Sequence, residues 1–352
     1  MAAPTTDPLL PPGSLLLVTA ANGLIASHIV DQLLDRGYRV RGTVRDRSRC
    51  SWMTPLFQNR HPHSHLELVE IPDINAPGCY DAPLKGVSAI IHTAANMSLT
   101  DEPSIIPQAI KATLNIMEAA KNANERGEKI KRVVPTSSSW AVAYPRPNVP
   151  MELTAESYDT FASKALENPD TPKEFRGLMT YVVTKLRSEQ EAWKWWKENS
   201  TCGFTLNTVM PATCMGPVLS PDNQSYPSTV GFVRSLYEGK NAELFEWLDP
   251  QWFVDVRDAA RLHVAGAVLG GVEGERIFAF SEKYTWTGVA AVLEKEMGSK
   301  VPVQLKDKGT DMTTVKGGRE RAEELLRRLG RHDWVKCEVS VRENIRCFYP
   351  KP

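Results

Sequence analysis

Short apolar runs alternate with amphipathic segments from residue 14 to residue 209, and this alternation constrains the fold more than any other feature. Residues 14–19, Ser-Leu-Leu-Leu-Val-Thr, form an apolar run of strand length. A pattern with apolar side chains on one helix face follows from Leu24 to Asp35, and a second strand pattern covers residues 38–44. Because continuous apolar runs suit strands that are buried on both faces, this order predicts a parallel sheet covered by helices.

The alternation continues with more strands and two long helices. We expect helices over residues 105–126 and 178–198, and strands over residues 66–70, 89–92, 132–134 and 204–209. Strands that alternate with helices through short connections predict an α/β fold. The expected architecture is a Rossmann-type doubly wound parallel sheet with right-handed crossovers.

After Pro211 the pattern is less regular, which indicates a smaller C-terminal α+β lobe beside the sheet. In this part we expect strands over residues 253–256 and 276–280, and helices over residues 231–238, 287–296 and 319–328. The predicted domains are a nucleotide-binding domain over residues 14–210, to which residues 251–281 return, and a substrate-binding lobe of residues 211–250 and 282–352. Residues 1–13 contain four prolines and are expected to be a disordered tail.

The balance of charges excludes several classes of partner. The chain has 42 Lys and Arg against 42 Asp and Glu among 352 residues, a net charge of +0. Such a chain has no global field that attracts nucleic acid, so any bound anion must be held by a local cluster of residues. No apolar run reaches the ~18 residues that a membrane helix needs, and we expect neither nucleic acid nor membrane as a partner.

The cysteine and histidine patterns indicate neither disulfides nor a metal site. The chain has six cysteines and no Cys-x-x-Cys pair, which predicts reduced thiols in a cytoplasmic protein. A basic segment followed by an apolar stretch is missing at the N-terminus, so we expect no secretory signal. His61, His63 and His65 lie in a predicted loop without a Cys or carboxylate at ligand spacing, and we expect no metal.

The connection between the first strand and the first helix has the features of a phosphate-binding turn. Gly23 lets the backbone approach a pyrophosphate closely, and the helix start directs free N–H groups toward it. Ala20 and Ala26 replace the usual first and third glycines, and Ala26 fits a position that needs only a small residue. The alternative is an ordinary strand–helix turn. The candidate cofactor contacts in this turn are Thr19, Ala21, Asn22, Gly23, Leu24 and Ile25.

Basic residues follow the second strand, where a protein that binds NAD would have an acidic residue. Arg45 comes directly after Val44, and Arg49 is close behind. Guanidinium groups match a 2′-phosphate in charge and in geometry, so these two arginines favour NADPH as the cofactor. The alternative is a solvated basic loop whose charge is balanced by Asp46.

Tyr181 and Lys185 are four residues apart on a predicted helix, so the phenol and the ammonium group can face the same cleft. A free tyrosine has a pKa of ~10. A nearby Lys185, together with a cationic oxidised nicotinamide, is expected to lower the pKa of Tyr181. A tyrosine tuned in this way can exchange a proton near neutral pH.

Hydroxyl side chains follow the fifth strand, in the segment Thr136-Ser137-Ser138-Ser139. The carboxyl end of such a strand faces the crevice where open parallel sheets bind their ligands. A hydroxyl at this point can donate a hydrogen bond to the oxygen of a substrate carbonyl. The alternative is a polar exit from the strand without a part in catalysis.

Taken together, these segments resemble the extended short-chain dehydrogenase/reductases. The chain is most similar to the branch that contains plant dihydroflavonol reductases and fungal methylglyoxal or aldehyde reductases. The resemblance extends over nearly all of residues 14–300. It is carried by Thr19 to Ala26, residues 43–45, Thr136-Ser137-Ser138, Tyr181-x-x-x-Lys185, residues 211–217, and residues 253–258 with His263.

The resemblance implies a role for each matching residue. Ser138 would be the catalytic serine, with Ser139 as a nearby rival, and Tyr181 would be the proton donor. Lys185 would bind the nicotinamide ribose and tune the tyrosine. Further cofactor contacts implied in the same way are Asp73, Ile74, Thr93, Ala94, Pro211, Thr213 and Cys214.

The expected function is that of an NADPH-dependent carbonyl reductase, which transfers hydride to a ketone or an aldehyde and acts on a small molecule. Two alternatives stay open: an NAD-dependent sugar-nucleotide epimerase or dehydratase of the same superfamily, and a regulator that senses NADP without chemistry. The protein is expected to be a monomer or a homodimer. The substrate pocket is expected to be walled by residues 218–226 and by Met97, Trp140, Ala143, Tyr144 and Met215.

Overall fold

The computed structural model describes residues 8–95, 99–102 and 104–349. The strands in this part of the chain are β1 (Leu15–Val18), β2 (Arg39–Val44), β3 (His65–Glu70), β4 (Val87–His92), β5 (Arg132–Pro135), β6 (Met151–Leu153), β7 (Thr205–Leu206), β8 (Thr208–Pro211), β9 (Thr213–Met215), β10 (Gln251–Asp255), β11 (Arg276–Ala279), β12 (Glu282–Tyr284) and β13 (Thr313–Val315).

The α-helices are α1 (Leu24–Asp35), α2 (Met53–Arg60), α3 (Ile105–Glu125), α4 (Ser139–Val142), α5 (Phe161–Glu167), α6 (Lys173–Glu198), α7 (Pro221–Gln224), α8 (Val230–Glu238), α9 (Val256–Val268), α10 (Trp286–Met297), α11 (Gly318–Arg328) and α12 (Cys337–Phe348). A short 3-10 helix covers Ala242–Glu246. Among the residues described, no helix combines the length and the apolar character that crossing a bilayer requires.

The main sheet has six strands in the order β3-β2-β1-β4-β5-β7, and all of its pairings are parallel. The chain first winds outward from β1 to β2 and β3, and then crosses back to place β4 on the other side of β1. This confirms the predicted Rossmann-type fold. In such sheets the crevice between the two directions of winding is the place where ligands bind.

Helices cover both faces of the sheet, because successive residues of a buried strand point to opposite sides. Leu16 and Val18 belong to the hydrophobic cluster that also contains buried residues of α1 and α9. Leu15 and Leu17 belong to the cluster that contains buried residues of α3 and α6. The apolar run of residues 14–19 thus supplies both layers of the core.

The single strand predicted over residues 204–209 is two strands with different partners. β7 pairs with β5 in the main sheet, whereas β8 pairs with β11. The fully buried Asn207 separates them: its Nδ2 donates to the carbonyl oxygens of Gly266 and Val272, both at 2.9 Å, and its Oδ1 accepts from the N–H of Glu275 at 2.9 Å. These three bonds attach the end of α9 and the segment that leads into β11 to the point where β7 ends and β8 begins.

Small sheets that join distant segments organise the rest of the chain. β10 lies between β9 and β12, and β6 pairs with β13, so that Met151 is opposite Thr313. The helix α9 returns to the main sheet, where it packs against α1 and against β4 and β5. The elements β6, β13 and α12 have no counterpart among the sequence predictions.

Residues 8–13 differ from the disordered tail predicted over residues 1–13. The side chain of Leu10 is buried, and its carbonyl oxygen accepts a hydrogen bond of 2.9 Å from the hydroxyl of Tyr38. Pro8 forms an isolated antiparallel bridge with Leu269. The prolines of this segment therefore lead an apolar side chain into the core, which the composition of the segment did not indicate.

Candidate active site

A cleft of about 750 Å³ lies at the carboxyl edge of the main sheet, beside the switch between β1 and β4. Its walls come from the segments that follow β1 to β5 and from α3 and α6. Arg45 and Arg49 lie on the side of β2, and Lys185 and Thr136 lie on the side of β5. The cleft therefore has a basic end and an end that is rich in hydroxyl groups.

The predicted phosphate turn is present, and it is held in shape by small residues. Ala20 occupies the left-handed backbone region with φ +48°, which a glycine would adopt without strain. Ala21 packs against β2, where a Cβ added to Gly42 would lie 2.7 Å from the Cβ of Ala21. Asn22 lines the cleft, and Gly23 caps α1 without a capping side chain. The first N–H groups of α1, from Leu24 and Ile25, are thus left for an anion.

The side chain of Thr19 joins β1 to β4. It is fully buried, and its Oγ1 accepts from the N–H groups of Thr93 and Ala94 at 3.0 Å each and also bonds Nδ1 of His92 at 3.0 Å. Thr93 donates its hydroxyl to the carbonyl oxygen of Thr19. The side chain of Thr19 therefore connects the end of β1 to the end of β4 inside the protein. Ala94 and His92 line the cleft.

The basic end of the cleft presents its arginines to solvent. Arg45 and Arg49 are exposed, and within the residues described neither guanidinium group has a hydrogen bond or an ion pair. Asp46 accepts from the hydroxyl of Ser48 at 2.7 Å and from the N–H of Arg49 at 3.1 Å, and these bonds lower its pKa. The carboxylate is thus engaged within its own loop. Asp73 and Ile74 line the adjoining wall.

The three predicted catalytic side chains meet where β5 ends against α6. Ser138 lies close enough to Tyr181 for its hydroxyl to influence the pKa of the phenol. The Oγ of Ser138 also accepts from the N–H of Trp140 at 3.2 Å, so its own proton is free to be donated. Lys185, one helical turn after Tyr181, lines the cleft and donates from Nζ to the carbonyl oxygen of Thr136 at 3.2 Å. Their catalytic roles stay predictions.

The pKa of Tyr181 differs from the expectation that Lys185 lowers it. Burial raises the pKa of Tyr181 to about 12, and the nearby hydroxyl of Ser138 opposes this change. The ammonium group of Lys185 is directed to the carbonyl of Thr136. Burial lowers the pKa of Lys185 to about 8, against the charge of Glu189, which raises it. The phenol is therefore a protonated donor at neutral pH.

The residues predicted to line the substrate pocket lie in different places in the structure. Trp140 lies edge-on to Tyr181, with ring centres 5.9 Å apart, and Ala143 and Trp140 both border a small cavity of about 20 Å³. Tyr144 is buried, and its hydroxyl donates to the carbonyl of Trp247 at 3.2 Å. Met215 is fully buried in the core of the C-terminal part, because β9 is covered there by apolar residues of neighbouring helices, and this differs from the predicted wall position.

Met97 lies outside the described residues. The loop predicted to wall the pocket over residues 218–226 lies partly against the phosphate turn instead. Nε2 of Gln224 donates to the carbonyl oxygen of Asn22 at 2.9 Å and bonds Oγ of Ser27 at 3.0 Å. This segment therefore covers the start of α1.

Pro211, Thr213 and Cys214 are buried in and beside β9 and are not found among the described residues that line the cleft. Thr213 accepts a hydrogen bond of 3.2 Å from the hydroxyl of Tyr284. Cys214 lies close to Tyr181. β9 thus borders the catalytic side chains, and the predicted contacts of these residues with a cofactor stay predictions.

Sequence reasoning missed one charged pair of this site, Glu189 and Arg276. Nε of Arg276 donates to Oε1 of Glu189 at 2.7 Å, and both side chains are buried. Glu189 also lines the cleft beside Lys185. The sequence spacing could have indicated Glu189, because it lies four residues after Lys185, just as Lys185 lies four residues after Tyr181. All three residues therefore share one face of α6.

Comparison with known proteins agrees with this geometry. The model of the NAD dependent epimerase/dehydratase family matches residues 16–275. The chain belongs to this family. The resemblance to extended short-chain dehydrogenase/reductases that the sequence motifs carry is thereby confirmed.

Similar proteins include named reductases. Ketoreductase adrE of Penicillium rubens is 35% identical over 341 residues, which cover 96% of the chain and 97% of the relative. Aldehyde reductase 2 of Sporidiobolus salmonicolor is 33% identical over 339 residues, which cover 95% of the chain and 96% of the relative. The solved structure of yeast methylglyoxal/isovaleraldehyde reductase Gre2 complexed with NADPH has a TM-score of 0.76 at 21% identity, with 95% of this chain and 97% of that chain covered. This last likeness shows the shared fold.

Proposed function

We propose that the protein is an NADPH-dependent carbonyl reductase that reduces a ketone or an aldehyde. The observation that carries the proposal is that Ser138 lies close to Tyr181, with Lys185 one turn further along α6 on the wall of a cleft of about 750 Å³. Relatives named ketoreductase and aldehyde reductase, similar over nearly the whole chain, support the same reaction class.

The residues of the cleft fit a dinucleotide with a 2′-phosphate. The uncapped start of α1 offers N–H groups to a pyrophosphate, and the exposed Arg45 and Arg49 offer guanidinium groups to the additional phosphate. Asp46 is held within its own loop, since its Oδ1 accepts from the hydroxyl of Ser48 and from the N–H of Arg49. When bound, NADPH would supply hydride to the carbonyl carbon.

The chain's own residues act on the carbonyl oxygen. The hydroxyl of Ser138 donates a hydrogen bond to that oxygen and stabilises the negative charge that develops on it. Tyr181 transfers its phenolic proton to the oxygen, which yields the alcohol. Lys185 holds the cofactor's ribose, since its Nζ lies beside Thr136 on the wall of the cleft.

The charge states of these groups suit reduction at neutral pH. With its pKa raised to about 12, Tyr181 keeps its proton until the carbonyl oxygen needs it. Lys185, whose pKa is lowered to about 8, is charged below that pH and loses its charge as the pH rises through it. Turnover is therefore expected to fall on the alkaline side, as a rate profile against pH would record.

Aromatic side chains next to Tyr181 favour a carbonyl substrate with a bulky apolar group. Trp140 stands edge-on to Tyr181, and Tyr144 lies 5.5 Å from Trp140 between ring centres. Phe175 stacks on Trp247 at 5.2 Å, and the partly exposed Phe161 stacks on Tyr144 at 5.6 Å. These rings pack against one another, and we propose that an apolar group of the substrate contacts the outer edge of this cluster.

The experiment that tests the proposal measures consumption of NADPH with a panel of small aldehydes and bulky ketones. We expect the loss of NADPH absorbance with at least one bulky ketone, the matching alcohol as product, and much slower turnover with NADH. No alcohol from any member of the panel, with NADPH bound, would contradict the proposal. The matched control is the same panel with heat-denatured protein.

A sugar-nucleotide epimerase remains the alternative within the family. Such an enzyme returns its cofactor unchanged, so a sugar nucleotide would be converted without net consumption of NADPH. The exposed arginines after β2 favour the reductase, since they suit the additional phosphate of NADPH. The cytoplasmic location and the monomeric or dimeric state that we expect from the sequence belong to the proposal as well.

A further inference from the structure

Glu189 is a buried carboxylate whose two oxygens are used by four side chains. Its side chain is 1% exposed. Oε2 accepts from the hydroxyl of Ser137 at 2.6 Å, and Oε1 accepts from the hydroxyl of Thr208 at 2.9 Å and from Nε1 of Trp193 at 3.4 Å. Arg276 donates to both oxygens, from Nε at 2.7 Å and from Nη2 at 3.2 Å. A charge this deeply buried is stable only with such partners.

These bonds tie together the separate elements that carry the catalytic groups. Glu189 is on α6 with Tyr181 and Lys185, and Ser137 precedes Ser138 at the end of β5. Arg276, on β11, also donates from Nη1 to the carbonyl oxygens of residues 155 and 157, both at 2.7 Å. The pair thus fixes the end of β5, the helix α6 and the segment that leads from one to the other.

Glu189 is also the anion that faces Lys185. Among the described residues, the other titratable side chains around Lys185 are His92 from β4, His263 from α9 and Tyr181. Burial, with a smaller effect of Lys185, lowers the pKa of His92 to about 3, and burial lowers that of His263 to about 4. Both imidazoles are therefore neutral when Lys185 titrates. Burial opposes the charge of Lys185, and Glu189 favours it.

We propose that Glu189, held by Arg276, is a positioning residue that sets Ser138 against Tyr181 and supplies the negative charge opposite Lys185. The inference rests on the proposed reductase function for its kinetic consequences. Glu189 itself touches no reacting atom: it acts through the Ser137 hydroxyl on one side and through the field at Lys185 on the other.

The test compares Glu189→Gln, Glu189→Asp and the double variant Glu189→Gln with Arg276→Met. Glutamine keeps an acceptor oxygen but removes the charge, so kcat should fall by about 10- to 100-fold with a smaller change in KM. The alkaline limb of the kcat profile should move to lower pH, because Lys185 then loses its proton more easily. Aspartate keeps the charge and should restore the alkaline limb, though not the full kcat. The double variant leaves no unpaired buried arginine and covers the case in which the single variant does not fold.

Arg132→Met is the matched control. Arg132 is also a buried arginine of the main sheet, 3% exposed and paired with Glu273, but it lies at the opposite end of β5. Its loss should lower the melting temperature and leave the alkaline limb unchanged. A second readout does not need turnover. Reductive methylation acts on the unprotonated amine of Lys185, so its extent against pH, followed by mass spectrometry, should shift to lower pH in Glu189→Gln.

The outcomes separate the two proposals. A wild-type protein that reduces no carbonyl contradicts the reductase function, and the methylation profile of Lys185 then decides the inference about Glu189 alone. The positioning role is overturned by a different result, in which the wild-type protein reduces its substrate. In that result Glu189→Gln and the double variant fold but keep the alkaline limb and the methylation profile of the wild type. A shift of equal size in Arg132→Met overturns it as well.

Discussion

The cofactor side, residues 14–135, and the part of the chain after residue 211 are held together by contacts of different range. In the first region each strand pairs with a strand near it in sequence, as β1 does with β2 and β2 with β3. In the second region β13 pairs with β6, and Ser340 on α12 bonds the buried Asp255 at the end of β10. A local pattern specifies much of the first region, although β1 also pairs with the more distant β4. The second region depends in addition on partners that lie far away in the sequence, such as β6.

The proposed catalytic groups lie where these two regions meet. Ser138 follows the last central strand of the first region, and β9 of the second region brings Cys214 close to Tyr181. Arg276 then joins α6 to β11 through Glu189. Chemistry at this junction therefore needs both regions in place, whereas binding of the nucleotide's phosphates needs mainly the first.

The largest effect is expected from Tyr181→Phe, which removes one oxygen at the junction. We expect kcat to fall by about 10²- to 10⁴-fold, because the proton donor is lost. NADPH binding, followed by fluorescence, should change little, since the basic end of the cleft is untouched. A variant that keeps its kcat would remove Tyr181 from the reaction, and loss of NADPH binding would show that the two functions are not divided between the regions as we infer.

A second comparison uses two fully buried methionines, one in each region. Met117 lies on α3 in the first region, and Met215 lies on β9 in the second. Each change to alanine should reduce the free energy of unfolding by about 2–5 kcal/mol, since it leaves a cavity. Because buried bonds connect the regions, we expect a single unfolding transition for both variants in calorimetry. Two separate transitions in Met215→Ala would show that the second region unfolds independently.

The contrast in range explains only part of what the sequence could predict, since β10, β11, α8, α10 and α11 of the second region also lie close to their predicted bounds. The strands β1 to β5 and the helices α1 and α3 are close to the predicted bounds, because their apolar patterns are repeated in neighbours that bury them. The phosphate turn and the meeting of Ser138 with Tyr181 follow from strand ends that share one edge of the sheet. These features depend on short-range order, which one sequence contains.

Other features depend on groups brought together only by the fold. The break at Asn207 results from three bonds to distant backbone groups, which no strand pattern reveals. Met215 is a core residue because the helices of the second region cover it. The pKa of Tyr181 was expected to fall because Lys185 is one turn away, but burial dominates, and the degree of burial cannot be deduced from a four-residue spacing.

A smaller effect is expected at the basic end of the first region. Replacing Arg45 and Arg49 by alanine should raise the KM for NADPH by about 10- to 100-fold, as expected for the loss of charge-assisted hydrogen bonds to a phosphate, and leave the KM for NADH unchanged. Arg47→Ala is the matched control. Arg47 is an exposed arginine of the same loop, but it is not among the described residues that line the cleft. Equal losses with NADPH and NADH would mean that the arginines stabilise the loop and do not select the cofactor.

The smallest effect is expected from Ala20→Gly in the phosphate turn. Ala20 has φ +48°, and a left-handed alanine costs about 1 kcal/mol that glycine avoids. Glycine also makes the unfolded chain more flexible, which costs about 0.4–1 kcal/mol, so the free energy of unfolding should change by less than about 0.5 kcal/mol.

The control for this change is Ala21→Gly. It adds the same flexibility to the unfolded chain without relieving strain, and it removes the methyl group that packs at Gly42. In denaturant titrations of both variants, Ala21→Gly should therefore lower the free energy of unfolding. A gain well above about 1 kcal/mol in Ala20→Gly would mean that the turn stores more strain than this dihedral angle implies. Such a gain would also show that the first region, although specified by local pattern, departs from its own best local sequence at the point where the cofactor's phosphates would be bound.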